Sequence, residues 1–172
     1  MQSPFEVLEI EPRFDIDPSA LEARHKELSR ALHPDRYAGR PASERRLALS
    51  KAIEVNEAYR VLRDPIRRAE AVARARSIPV GETSEPKPDP ELLMEMMEAR
   101  EELADAGKKK DGAKVEALAA TMREREARLL AALKTAFDAK EDPKILALLG
   151  ELRYVRRYLD ETDALVELFE NG

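Results

Sequence analysis

Five times along this 172-residue chain a capping residue is followed at once by proline: Ser3-Pro4, Asp17-Pro18, Asp64-Pro65, Asp89-Pro90 and Asp142-Pro143. Each pair is a helix start. A short side-chain oxygen accepts from the free N–H groups of the first turn, and proline, with no N–H and a fixed φ, suits the first helical position. Between these starts apolar residues recur at three- and four-residue spacing. Leu21, His25, Leu28 and Leu32 form one stripe, and Ala48, Ala52, Val55, Tyr59 and Leu62 a second. Val115, Leu118, Met122, Leu129, Leu133 and Phe137 form a third, and Ile145, Leu148, Leu152, Val155, Leu159, Val166 and Phe169 a fourth. The pattern predicts an all-α protein. Composition agrees, because glycine is scarce, Trp is absent and the abundant residues are strong helix formers.

The stop signals divide the chain. The first helix opens with a capping box from Ser3 to Glu6 and ends before Pro12. The second ends at His33, since the residue before a proline is pushed out of the helical region. A polar loop with Gly39 and Pro41 leads into the third helix, so the second and third read as an antiparallel hairpin. A short fourth helix runs from Asp64-Pro65 to Arg76. Residues 77–90 hold four prolines and no periodicity, which marks a linker. A helix from Asp89-Pro90 to Ala106, a turn over Gly107 to Gly112, a long helix and a last helix capped by Asp142-Pro143 then read as a three-helix bundle. Gly150 inside the last helix costs about 1 kcal/mol relative to alanine. The expected domains are 1–76 and 91–172, joined by the linker 77–90.

Several function classes are disfavoured. With no cysteine there are no disulfides, thiolate metal ligands or cysteine nucleophile. A net charge of −5 suits a nucleic-acid binder poorly. Met1 to Ile10 lacks a basic segment followed by an apolar run, and no stretch is apolar enough to span a bilayer. A soluble cytoplasmic protein is expected.

Two features carry chemistry. His33-Pro34-Asp35 lies in the turn between the second and third helices, where Pro34 stiffens the chain and His33 and Asp35 present polar groups at a defined place. Arg24, Lys26, Arg30 and Arg36 flank it as a cationic strip able to steer an acidic partner. The plainer readings are a histidine that merely caps a helix end and a solvated charged face. An acid–base pair of His33 and Asp35 lacks a third group, a nucleophile and a pocket signature. Nucleic-acid binding lacks stacking aromatics. His25, on the apolar stripe, reads as a satisfied core histidine. In the bundle, Leu92, Met96, Ala99 and Leu103 share one helix side, while Leu93, Met94 and Met97 share a second, bordered by Glu98 and Glu101. The second side is either a wide core arc or an adaptable binding surface. Tyr154 lies off the stripe of Leu148, Leu152 and Leu159, as a half-exposed tyrosine or a partner anchor.

Phe5-Glu6-Val7-Leu8, the basic amphipathic helix, His33-Pro34-Asp35 and the run Asn56-Glu57-Ala58-Tyr59-Arg60-Val61-Leu62-Arg63-Asp64 resemble the J domain. His25 departs from its pattern, which usually has an aromatic there. The resemblance implies a hairpin that presents the tripeptide, with the basic strip, to a DnaK/HscA-class chaperone and stimulates that chaperone's ATPase. From Leu93-Met94-Glu95 through Arg100-Glu101-Glu102-Leu103 the chain resembles the stretch that opens the C-terminal domain of the HscB family, co-chaperones of iron–sulfur cluster assembly. That narrower resemblance implies an L-shaped, non-enzymatic monomer with a J domain and a client-binding three-helix bundle. The implied client is an IscU-type scaffold protein, contacted by Leu93, Met94, Met97, Glu98, Arg100 and Glu101. Tyr154, in Leu152-Arg153-Tyr154, matches a family position that usually holds Phe. The absence of cysteine implies a bacterial form without zinc, and no cofactor, metal, nucleic acid or membrane is expected. A J protein with an unrelated client and a purely structural helical adaptor remain open alternatives.

Overall fold

A computed structural model describes residues 2–81 and 86–171. The chain divides into two compact units, Met1–Val80 and Gly81–Gly172. Among the described residues there is no strand. The middle of the expected linker, residues 82–85, lies outside the described residues.

The first unit contains α1 (Pro4–Leu8), α2 (Pro18–Ala31), a 3-10 turn (Pro34–Tyr37), α3 (Ala42–Arg63) and α4 (Pro65–Ala75). The cap chemistry is that of the sequence. Ser3 and Glu6 close a reciprocal capping box, Asp17 accepts from the Ser19 N–H, and Asp64 accepts from the Arg67 N–H. Phe5, Leu8, Leu21, Val55, Leu62 and Val72 fill the core between the helices. α2 ends at Ala31, two residues before the expected His33. His33 must be extended ahead of Pro34 (ψ 134°), and the bend begins at Leu32 (φ −98°, ψ 9°).

His25 is built into the hairpin. Its ring stacks on Tyr59 of α3 at 4.2 Å, and its Nε2 is 2.8 Å from Asn56 Oδ1. It supplies the flat surface of an aromatic and adds a polar tie between α2 and α3.

The second unit is an up-down-up bundle of α5 (Pro90–Lys108), α6 (Gly112–Ala139) and α7 (Asp142–Glu170). Val115, Leu133, Phe137, Ile145, Leu149, Leu152, Val155 and Tyr158 are fully buried. Leu149 and Tyr158 widen the expected α7 stripe, while Leu148 is only half-buried, because α7 packs on two neighbours. Gly107 is helical rather than part of the turn. A Cβ there would approach Leu165 to 3.2 Å, so glycine is what lets α7 pack closely. Lys110 instead takes the left-handed conformation (φ 52°) and ends the turn. Asp142 is the first helical residue of α7, and the preceding Glu141 makes no side-chain cap.

Candidate functional site

Two surfaces, one in each unit, collect the residues singled out in the sequence. In the first unit the 3-10 turn holds the tripeptide outward. His33 and Asp35 are both exposed, and neither side chain is buried by a neighbour. The turn is nonetheless well fixed. The Arg36 N–H donates to the His33 carbonyl at 3.0 Å, and the Asp35 N–H lies 3.4 Å from His33 Nδ1. An unprotonated Nδ1 accepts that N–H, whereas a protonated one faces the Asp35 carboxylate at 3.5 Å. Pro34 removes one further backbone freedom.

The cationic residues separate into two roles. Arg24 is largely covered, at 23% exposure. Its Nε donates to the Leu8 carbonyl at 2.9 Å, one of the carbonyls that α1 leaves open at its C-terminus, and it pairs with Glu9 and Glu27. The Glu27 bond chiefly, with Glu9 helping, holds this guanidinium above its ordinary pKa. Arg24 therefore ties α1 to α2. Lys26, Arg30 and Arg36 are exposed and line one open depression with Ala23, Glu27 and Ala31. Lys26 pairs with Glu22 at 2.6 Å within α2. Sequence reading missed Ala23 and Ala31, the small residues that let this depression form. It also missed Leu49 and Ile53, exposed on α3 one turn apart, because periodicity counts only the buried stripe.

In the second unit α5 has two apolar sides. Met96 and Leu103 are buried, with Leu92 and Ala99 half-buried beside them. Leu93, Met94 and Met97 are exposed, at 36%, 64% and 64%. Glu98 and Glu101 are exposed at their border. The second side is thus surface rather than core.

Ion pairs fix how α5 lies against α7. Arg125 of α6 bonds both Glu95 of α5 and Glu151 of α7, and Arg100 of α5 bonds Glu161 of α7 at 2.6 Å. These pairs fall in the same order along both helices, 95 with 151 and 100 with 161, so α5 and α7 run parallel. Tyr154 lies between Glu151 and Glu161 along α7. On a helix with 100° per residue it also shares the flank of Glu151 and Glu161 that faces α5. The half-buried Tyr154 thus lies on the flank of α7 turned toward α5, with the Arg157 guanidinium 5.6 Å over its ring. Arg100 is held by Glu161, a partner that its seven-residue spacing from Tyr154 could have signalled. Among the described residues no group of three or more His, Asp or Glu is arranged to hold a metal, and no helix is long and apolar enough to cross a membrane.

The same two units stand out in comparisons with known proteins. Residues 3–71 match the DnaJ domain family, and residues 88–163 match the family described as the HSCB C-terminal oligomerisation domain. The chain is 31% identical to a co-chaperone protein HscB homolog of Burkholderia multivorans, covering 98% of this chain and 96% of the other. A homolog of the same name from Burkholderia mallei is 32% identical, with 98% and 97% covered. The fold matches a chaperone HscB from Vibrio cholerae with a TM-score of 0.85 at 26% identity, covering 98% of this chain and 99% of that one. It also matches the human co-chaperone protein HscB with a TM-score of 0.86 at 22% identity, covering 95% and 82%.

Proposed function

Since the chain belongs to the HscB family of co-chaperones, as its near full-length likeness to the Burkholderia homologs shows, we propose that it carries an iron–sulfur scaffold protein to an Hsp70-type ATPase chaperone and stimulates that chaperone's ATP hydrolysis. The observation that carries this reading is the exposed Leu93–Met94–Met97 side of α5, an apolar surface that the bundle core does not use.

The two surfaces divide the work. His33, Pro34 and Asp35 dock on the chaperone, and the fixed turn keeps the ordering cost of docking low. Lys26, Arg30 and Arg36 steer an acidic surface of the chaperone into register, while Arg24 holds the α1–α2 frame beneath them. The scaffold binds Leu93, Met94 and Met97 as an apolar centre, with Tyr154 at its edge and Glu98, Arg100 and Glu101 as a polar rim. ATP chemistry belongs to the chaperone. The protein lowers the barrier by binding the hydrolysis-competent chaperone better than its resting form. It works as a cytoplasmic monomer and needs no cofactor, metal, nucleic acid or membrane.

Steady-state ATPase activity of the chaperone tests this. Wild-type protein should stimulate turnover, and the scaffold should add synergistically. Asp35→Asn or His33→Gln should remove all stimulation. Leu93→Ala with Met97→Ala should remove only the scaffold's share. Stimulation without any scaffold effect would remove the client assignment, and no stimulation by folded protein would remove the chaperone assignment.

A further inference from the structure

The four methionines beyond Met1 all lie in the second unit, and their environments differ sharply. Met96 and Met122 are core residues, at 3% and 8% exposure. Met94 and Met97, three residues apart on α5, are each 64% exposed and stand at the centre of the proposed client face. A thioether reacts with oxidants in proportion to its access, and its oxidation replaces a soft apolar atom by a strongly hydrogen-bonding sulfoxide. The sequence has no cysteine, so no thiol competes for an oxidant on this protein.

We infer that Met94 and Met97 form a modification site at which a peroxide-class oxidant converts exposed thioether to sulfoxide and thereby turns off client binding while leaving the J-domain surface active. A sulfur lone pair attacks one peroxide oxygen, the O–O bond breaks and the S–O bond forms. The second oxygen leaves as water after proton transfer. Sulfur loses two electrons and the peroxide gains them. No net charge is added, so the bundle's ion pairs are untouched and α5 stays folded on its buried side. At the contact, however, each sulfoxide oxygen must lose its water against apolar client atoms with nothing to replace the hydrogen bonds. The switch is reversible, because methionine sulfoxide is a substrate for reductases that return the thioether. The first unit has no methionine besides Met1, so the docking surface offers no equivalent target.

This inference rests on the client-face reading and is tested so that the two fail separately. Whole protein is treated with hydrogen peroxide, and the +16 mass additions are mapped by peptide mass spectrometry. Scaffold affinity is then measured by calorimetry before and after treatment and after methionine sulfoxide reductase. Met94 and Met97 should oxidise at least about tenfold faster than Met96 and Met122. Affinity should fall at least about tenfold, about 1.4 kcal/mol, and recover with the reductase. The oxidised protein should still stimulate the chaperone alone, and the scaffold's added stimulation should vanish. In a Met94→Leu, Met97→Leu variant, whatever its starting affinity, peroxide should change nothing. Sulfoxide at both positions with unchanged affinity, or equal oxidation of the buried pair, overturns the inference alone. Untreated protein that fails to bind the scaffold overturns the client reading and the inference with it.

Discussion

Two tyrosines one turn apart on α7 are set in opposite environments, and replacing the inner one tests the packing argument directly. The ring of Tyr158 is fully buried between the helices, yet its hydroxyl has no hydrogen-bond partner among the described residues. Burial chiefly, and then the nearby Glu102 and Glu161 carboxylates, push its pKa above the ordinary phenol value. A buried hydroxyl without a partner costs about 1–3 kcal/mol of desolvation. Tyr158→Phe keeps the ring and its contacts and removes only that atom, so it should stabilise the bundle by about 1–2 kcal/mol. For a unit of this size, about 4–8 °C of Tm accompanies each kcal/mol. The pH dependence has a definite sign. A raised pKa in the fold means that the neutral phenol is favoured there. The stability tied to it is whole below the unfolded pKa of about 10 and is lost as pH rises from there through the higher folded value. Scanning calorimetry at neutral and alkaline pH should show the variant's bundle transition higher at both, with less alkaline loss. A variant that melts lower, or one that keeps the full alkaline loss, refutes the assignment of an orphaned hydroxyl. Tyr154→Ala is the control, since it should weaken scaffold binding with little change in Tm.

Four other perturbations separate structural from functional roles. Gly150 is helical and a Cβ there would meet nothing within 4 Å, so Gly150→Ala should raise bundle stability by about 0.5–1 kcal/mol in urea titration. Arg24→Ala leaves the Leu8 carbonyl without its donor and should cost the first unit about 1–2 kcal/mol by chemical denaturation. Lys26→Ala and Arg30→Ala should leave that stability nearly unchanged but reduce chaperone stimulation, with a deficit that shrinks at high salt. The Arg125 hydrogen bond holds the Glu95 carboxyl below its ordinary pKa. Its stabilisation is complete above the usual carboxylate range and is lost as pH falls below it. Glu95→Gln should therefore flatten the acid limb of the bundle's stability profile, by less than about 1 kcal/mol because Glu95 is largely exposed.

The helices were legible because their signals are local. A cap and proline at Ser3-Pro4, Asp17-Pro18 or Asp89-Pro90 act within one turn, and the buried stripes follow helical geometry whatever they pack against. Boundaries set by distant contacts were not legible. Gly107 reads as a terminator until Leu165, some sixty positions away, is seen against it. The candidate site divides in the same way. The tripeptide is contiguous and its stiffness comes from Pro34, so sequence alone marks it. Whether Leu93, Met94 and Met97 are core or surface depends on which arc of α5 meets α6 and α7, a question about partners that periodicity cannot answer.

By itself, then, the sequence determined which segments are helical, where the helices opened by Ser3-Pro4, Asp17-Pro18, Asp64-Pro65 and Asp89-Pro90 begin, and which three residues stand in the turn between α2 and α3, since backbone sterics and capping act over neighbouring residues. Only the tertiary structure decided that Arg24 closes α1 rather than facing solvent, that Met94 and Met97 are exposed while Met96 is buried, and that Arg100 pairs with Glu161. Those outcomes depend on ion pairs and packing between helices far apart in the chain, such as Arg125 bridging Glu95 and Glu151, whose geometry exists only once the bundle has assembled.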